Sequence, residues 1–411
     1  MRVIGTEDQP LGSGSVVGKV FSIWLAAGLF ILVTGMFLVE SRHLYKNLVY
    51  LGIVTPGLLL LFLPKARQIA MTRQFIMLLV YLAFVGISAL WSNAEDGVPI
   101  KRVVYLLCAT ISFTYLFSHH RTLFERVGFF AVGVCALVSA YWIVSFYIIE
   151  GNPWHQGFQS DSEDHYGTFY NTLLTSHVLG FIFVFYAAYI VLYVDGMKQR
   201  TLYLLMSVPV LTLLLLTGSR TPLVSVTGAL LSIALYNLNR RSLVVLLLAG
   251  LVVAGGLFQF WDVISARGLS YRPEIWLGTL QLMPGKWLFG HGYAAPLLVW
   301  IDSLGRSFND SHNVMLGVLY YFGFVGLMLF ISLYARALWL VIKGTADNAM
   351  LLVVLAYGLL SGMTDGGGLL ARPNEHWFNI WLPIMFFICV DYSNGCQQPP
   401  IGEGRAHAER S

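Results

Sequence analysis

Charge is what this chain has least of. Only 11% of its 411 residues are charged and 57% are hydrophobic, with a mean hydropathy of +0.70. A soluble domain carries about a quarter of its residues as Asp, Glu, Lys and Arg. The shortage excludes a water-solvated globular body and points to an all-α polytopic membrane protein. The net charge of +4 is small for this length, and no basic run or RNA-binding motif is present, so nucleic acid is not expected as a partner. Cysteine is also scarce. Cys108, Cys135, Cys389 and Cys396 include three inside apolar segments, and none makes a metal-ligand spacing, so they read as packing residues. Residues 1–16 carry both charge signs and lack the small-residue cleavage site of a signal peptide, so the first span is expected to be retained.

Long apolar stretches fill the rest. About twelve approach the twenty or so residues needed to cross about 30 Å of hydrocarbon. They are Val20–Val39, Asn47–Leu63, Gln74–Trp91, Val103–Phe117, Val127–Ile149, Phe169–Val194, Leu202–Thr217, Leu223–Leu238, Ser242–Phe260, His312–Ile342, Ala349–Met363 and His376–Val390. The tenth carries Gly317, Gly323 and Gly326, and a break is expected near Gly323. Alternate loops hold Lys65, Arg67 and Arg73, then Arg121 and Arg126, Lys198 and Arg200, Arg240 and Arg241, and Arg336 and Lys343. The positive-inside rule puts these loops and both termini in the cytoplasm. The expected plan is a cytoplasmic segment 1–16, one transmembrane domain 17–390 with a large outer loop 261–311 containing short helices, and a disordered cytoplasmic tail 391–411.

The outer side holds the polar residues of interest. Asp310 or Ser311 suits the N-cap of the tenth span, which puts His312 in its first turn at the membrane–water boundary. The positive end of the helix dipole there disfavours imidazolium and favours the neutral ring of a general base. A plain interfacial histidine fits the same place, although Asn313 adds a second polar group. Arg220 follows an apolar run directly, and reads either as a site residue or as an arginine snorkelling to headgroups. Arg272 precedes Pro273 and Glu274, a pattern that opens a helix. That helix runs to Met283, with Trp276, Leu277 and Leu280 as an apolar stripe suited to the membrane surface. A guanidinium beside free helix-start N–H groups makes a phosphate site; an ion pair with Glu274 is the plainer reading. Arg267 lies five residues earlier and is a further candidate, as is His291 in the Gly290–Gly292 turn, whose glycines permit close backbone approach. Asp365 and Arg372, in a short outer loop, read as salt-bridge partners or site residues, and His165, Tyr166 and Asn171 border an acidic segment at 161–164.

His312-Asn313, nine residues, then Gly323-Phe324-Val325-Gly326 resembles the signature of the bacterial O-antigen ligase family. The Ser219-Arg220 pair, the Arg272…Trp276 segment opening a large loop and the Gly290–Gly292 turn are consistent with it over nearly the whole chain. The resemblance implies a multi-pass inner-membrane enzyme resembling the GT-C-type lipid-linked glycosyltransferases, with its site facing the periplasm. The implied donor is O-polysaccharide on undecaprenyl diphosphate, and the implied acceptor is a sugar hydroxyl of lipid A core. The family's essential arginines map by motif onto Arg220 and Arg272, and its histidine onto His312. No metal or other cofactor is implied, and the sequence shows no acidic ligand cluster. Membrane lipids surround a chain expected to be a monomer or weak oligomer. Rival readings are an O-antigen polymerase or a protein oligosaccharyltransferase with the same donor. A transporter is the non-enzymatic rival; the lack of an internal repeat and the few charges within the spans disfavour it.

Overall fold

The computed structural model describes residues 16–93, 99–154, 156–159, 166–169, 171–236, 271–344, 348–366 and 369–397, with scattered positions between 247 and 258. The apolar stretches become helices because, in hydrocarbon, each backbone N–H and C=O must find its partner within its own segment. In chain order these are α1 (Val16–Leu38), α2 (Arg42–Val49), α3 (Thr55–Leu60), α4 (Pro64–Ala70), α5 (Arg73–Ser88), α6 (Pro99–His119), α7 (Arg121–Val144), α8 (Thr172–Tyr193), α9 (Met197–Leu216) and α10 (Arg220–Tyr236). After the long loop come α11 (Arg272–Gln281), α12 (Val314–Ile342), α13 (Asn348–Gly362) and α14 (Leu382–Gln397).

Among the described residues, seven helices are long and apolar enough to cross a membrane, or eight if a bent pair counts as one span. That falls short of the expected twelve, for local reasons. The second stretch, Asn47–Leu63, lies largely within Arg42–Leu60, which counts as a span only together with Pro64–Ala70, met at 98°, where Pro64 opens a new helix after extended Leu63. The eighth and eleventh stretches form the shorter apolar helices α10 and α13. The ninth lies mostly outside the described residues. At the C-terminal end, α14 continues through Gln397, past the point where a disordered tail was expected. Asp391 holds it there, pairing with Arg336 at 2.7 Å and accepting from the Gln74 amide at 3.0 Å.

The tenth stretch does break at Gly323, whose φ of 62° and ψ of −166° are not helical. A break inside an apolar helix frees backbone groups, and the loop 287–292 takes them up. The Phe324 and Val325 amides donate to the Trp287 and Leu288 carbonyls at 2.7 and 3.2 Å, while the Tyr320 and Tyr321 carbonyls accept from His291 and Gly292 at 2.9 and 2.8 Å. A Cβ on Gly323 would collide with the Leu288 backbone, and one on Gly290 with the Tyr321–Phe322 backbone. These glycines thus let an outer loop lie directly across a broken helix.

The loop has its own small core of Ile275, Met283, Leu297, Val299, Ile301, Leu319 and Tyr320. Two three-residue strands, β1 (Val299–Ile301) and β2 (Arg306–Phe308), pair antiparallel, an addition to the all-helical expectation. The stripe expected to lie on the membrane surface is not the face that α11 turns to this core. Its buried face is Ile275 and Thr279, because Gly278 lets Val299 pack closely, while Leu277 is exposed.

Candidate active site

The helix starts two or three residues later than expected. Asn313, not Asp310 or Ser311, caps α12: its Oδ1 accepts from the Leu316 amide at 3.1 Å. His312 therefore stands before the cap rather than in the first turn, with a left-handed φ of 48°. A non-glycine residue there is uncommon and is held by its surroundings. Asp310 Oδ1 accepts from the His312 amide at 3.1 Å, Ser311 Oγ donates to the Asn313 carbonyl at 2.8 Å, and Asn313 Nδ2 donates to the Met363 carbonyl at 3.2 Å. The last contact ties the turn to the 363–366 loop. Gly366 lies so close to the Asn313–Val314 backbone that no side chain fits, and this contact brings Asp365 against the histidine.

His312 Nδ1 lies 3.8 Å from Asp310 Oδ2 and 4.0 Å from Asp365 Oδ1. These distances exceed a hydrogen bond but suit an ion pair with an imidazolium. The ligand atoms of Asp310, His312 and Asp365 all lie within 4.8 Å of one another. The cluster absent from the sequence spacing is therefore present in space, and its donor set is one that a divalent cation accepts. Asp365 is 3% exposed, and its Oδ2 has no hydrogen-bond partner among the described residues. Burial pushes its carboxyl well above the ordinary range; Asp310 adds to the rise, while His312 and Arg272 oppose it.

Arg220 is the first residue of α10 and Arg272 the first of α11. Tyr271, left-handed at φ 55°, turns the chain into α11. Two guanidiniums and two helix N-termini thus converge, since Arg220 and Asp365 both lie within electrostatic reach of Arg272. Burial weakens the hold of Arg272 on its proton, Asp365 opposes that effect and Arg220 adds to it. Arg272 Nε is buried without a hydrogen-bond partner among the described residues. Glu274 is exposed, and no ion pair joins it to Arg272 among those residues.

The other candidates separate. Arg267 and His165 lie outside the described residues. His291 stacks on Tyr320, with ring centroids 4.3 Å apart, and its Nε2 lies 2.9 Å from the Leu282 carbonyl, so it fastens the loop to α12. Asn171 caps α8 through the Leu173 and Leu174 amides, and the Tyr166 hydroxyl donates to Glu150. Arg372 lines a different cavity with Arg42, Lys46 and Arg102. Two residues escaped the sequence reading. His177 on α8 is fully buried, with neither ring nitrogen hydrogen-bonded among the described residues, and lies within electrostatic reach of Arg272 and His376. His376 in turn senses Asp310 and Arg42. An ionisable residue inside an apolar run is a functional candidate by default, and that rule alone would have singled out His177.

The sequence is similar to that of known proteins. The O-Antigen ligase family profile matches residues 201–331, the stretch that holds Arg220, Arg272 and His312. An O-antigen ligase of Pseudomonas aeruginosa is 34% identical over 384 residues, covering 89% of this chain and 90% of that protein.

Proposed function

The chain belongs to the O-antigen ligase family, and from that premise we propose that it moves an O-polysaccharide from undecaprenyl diphosphate to a sugar hydroxyl of lipid A core, on the periplasmic side of the inner membrane. The observation that carries the reading is Arg272, which opens one helix, lies within electrostatic reach of Arg220 at the start of another, and acts on the carboxylate that also faces His312.

Glycosyl transfer from a diphosphate needs positive charge where the leaving group gathers negative charge, and a base where the attacking hydroxyl loses its proton. Arg220 and Arg272 supply forked donors backed by two helix N-termini, a preorganised anion site. His312 accepts the acceptor proton, a role typically worth about 10²–10⁴-fold. Asp310 and Asp365 then face the imidazolium that forms. Attack opposite the diphosphate in one step inverts the anomeric centre. With the arginines neutralising the leaving group, the reaction runs without a divalent metal, in spite of the Asp310–His312–Asp365 cluster.

The test is reconstitution in liposomes with a lipid-linked donor, offering lipid A core, an unlinked glycan and a pilin peptide in turn. Transfer to lipid A core alone is expected. Preferential extension of the glycan would make the protein a polymerase, and labelling of the peptide would make it a protein oligosaccharyltransferase.

A further inference from the structure

A cationic cavity stands beside the candidate site. It has a volume of about 240 Å³, and Arg42, Lys46, Arg102 and Arg372 line it together with Glu375 and Thr168. The four cations come from three distant segments: the start of α2, the first turn of α6 and the loop before His376. Arg42, Arg102 and Arg372 all lie within electrostatic reach of Lys46. Glu375 is the single carboxylate, paired with Arg42 at 2.8 Å, so four positive charges face one negative and three remain.

Two of the cations are fixed in place. Arg42 Nε donates to the Thr168 carbonyl at 2.9 Å, and Arg102 Nη1 to the Tyr293 hydroxyl at 2.7 Å. The side chains of Lys46 and Arg372 carry no hydrogen bond or ion pair among the described residues. Thr168, 1% exposed, keeps a buried hydroxyl with no partner there. Crowded like charges repel, and a multiply charged anion with several acceptor oxygens relieves that repulsion while using the idle donors.

We propose that this cavity binds a phosphate group of the acceptor lipid, so that the acceptor is held by its phosphate while its sugar hydroxyl reaches His312. The proposal rests on the ligase reading above. A phosphate fits better than a carboxylate because the surplus is three charges and three of the cations are forked guanidiniums. The acceptor fits better than the donor because Arg220 and Arg272 already form a separate anion site. The two sites adjoin through His376, which senses Arg42 on one side and Asp310 on the other.

Binding is measured on the full chain in nanodiscs, with lipid A core, the same lipid after phosphatase treatment, and phosphatidylglycerol as competitor. The wild type should bind the phosphorylated acceptor at least about tenfold more tightly than the dephosphorylated one, the scale expected for one or two charge-assisted contacts. A Lys46→Gln/Arg372→Gln double variant should lose that preference while keeping its melting temperature and its affinity for a polyprenyl diphosphate. Equal wild-type affinity for the two acceptor forms overturns the proposal without needing any variant to fold. Equally effective competition by phosphatidylglycerol overturns the acceptor assignment in favour of a bulk headgroup, and loss of polyprenyl-diphosphate binding in the double variant overturns it in favour of the donor. Binding is scored apart from turnover: tight, phosphate-dependent binding with no glycan transfer would sink the ligase reading alone.

Discussion

At the scale of single residues, the chemistry depends on who stands next to whom. Arg272 was legible because Pro273 and Glu274 announce a helix start in three consecutive letters. The turn that presents His312 was not, since a left-handed histidine has no local signal and its partner Asp365 arrives from 53 positions away through the Asn313–Met363 contact. Replacing Arg272 with lysine keeps the charge and removes the fork; transfer in membrane vesicles should fall by at least about tenfold, and wild-type rates would mean that charge alone suffices. Asp365 gives a pH prediction. Its folded-state value is raised from 3.8 towards about 7, so in that window the folded protein holds a proton that the unfolded chain has released. Stability from this group is therefore present at low pH and is lost as pH rises through the raised value. Melting curves of the detergent-solubilised protein should show wild type losing stability relative to Asp365→Asn between about pH 4 and 7; a parallel pair of curves would contradict the raised value.

At the scale of elements, hydropathy read the individual long helices well, while seven or eight of the expected twelve spans meet the length and composition of a crossing helix among the described residues. The sixth stretch, Phe169–Val194, matches α8 (Thr172–Tyr193) because nothing inside it interrupts the run. The second, Asn47–Leu63, stops where Pro64 opens a new helix that leaves at 98°. The hairpin β1–β2 was invisible because three-residue strands are too short to show a period of two. The break at Gly323 was visible, since glycine is the residue such backbone requires, although the loop that fills it was not. Gly323→Val should destabilise the solubilised protein by on the order of 3 kcal/mol, combining backbone strain with a collision against Leu288. Gly86→Ala, where no atom lies within 4 Å of the new Cβ, should leave the melting temperature unchanged or raised. Equal melting temperatures for the two variants would mean that the loop does not lock the broken helix.

At the scale of the whole molecule, three segments far apart in sequence, at Arg220, Arg272 and Asp310–Asn313, meet only because α10, α11 and α12 all begin at one end of the bundle. The charge bias of the loops carries the expectation that this end faces the periplasm. Of the four cysteines, Cys108, Cys135 and Cys389 are buried, which suits labelling of introduced ones. In intact cells a membrane-impermeant thiol reagent should modify Ser303→Cys and spare Lys198→Cys; the reverse pattern would invert the topology and move the site to the wrong compartment. In the proposed reaction His312 removes the acceptor proton while the two arginines hold the diphosphate, with no metal taking part. The most direct measurement is single-turnover transfer from lipid-linked donor to lipid A core by the purified protein in liposomes, in excess chelator, comparing wild type with His312→Ala. Full wild-type transfer is expected, with a loss of about 10²–10⁴-fold in the variant at undiminished donor binding. Wild-type rates in His312→Ala, or activity that disappears with chelator and returns with magnesium, would contradict it and reassign Asp310, His312 and Asp365 to a cation.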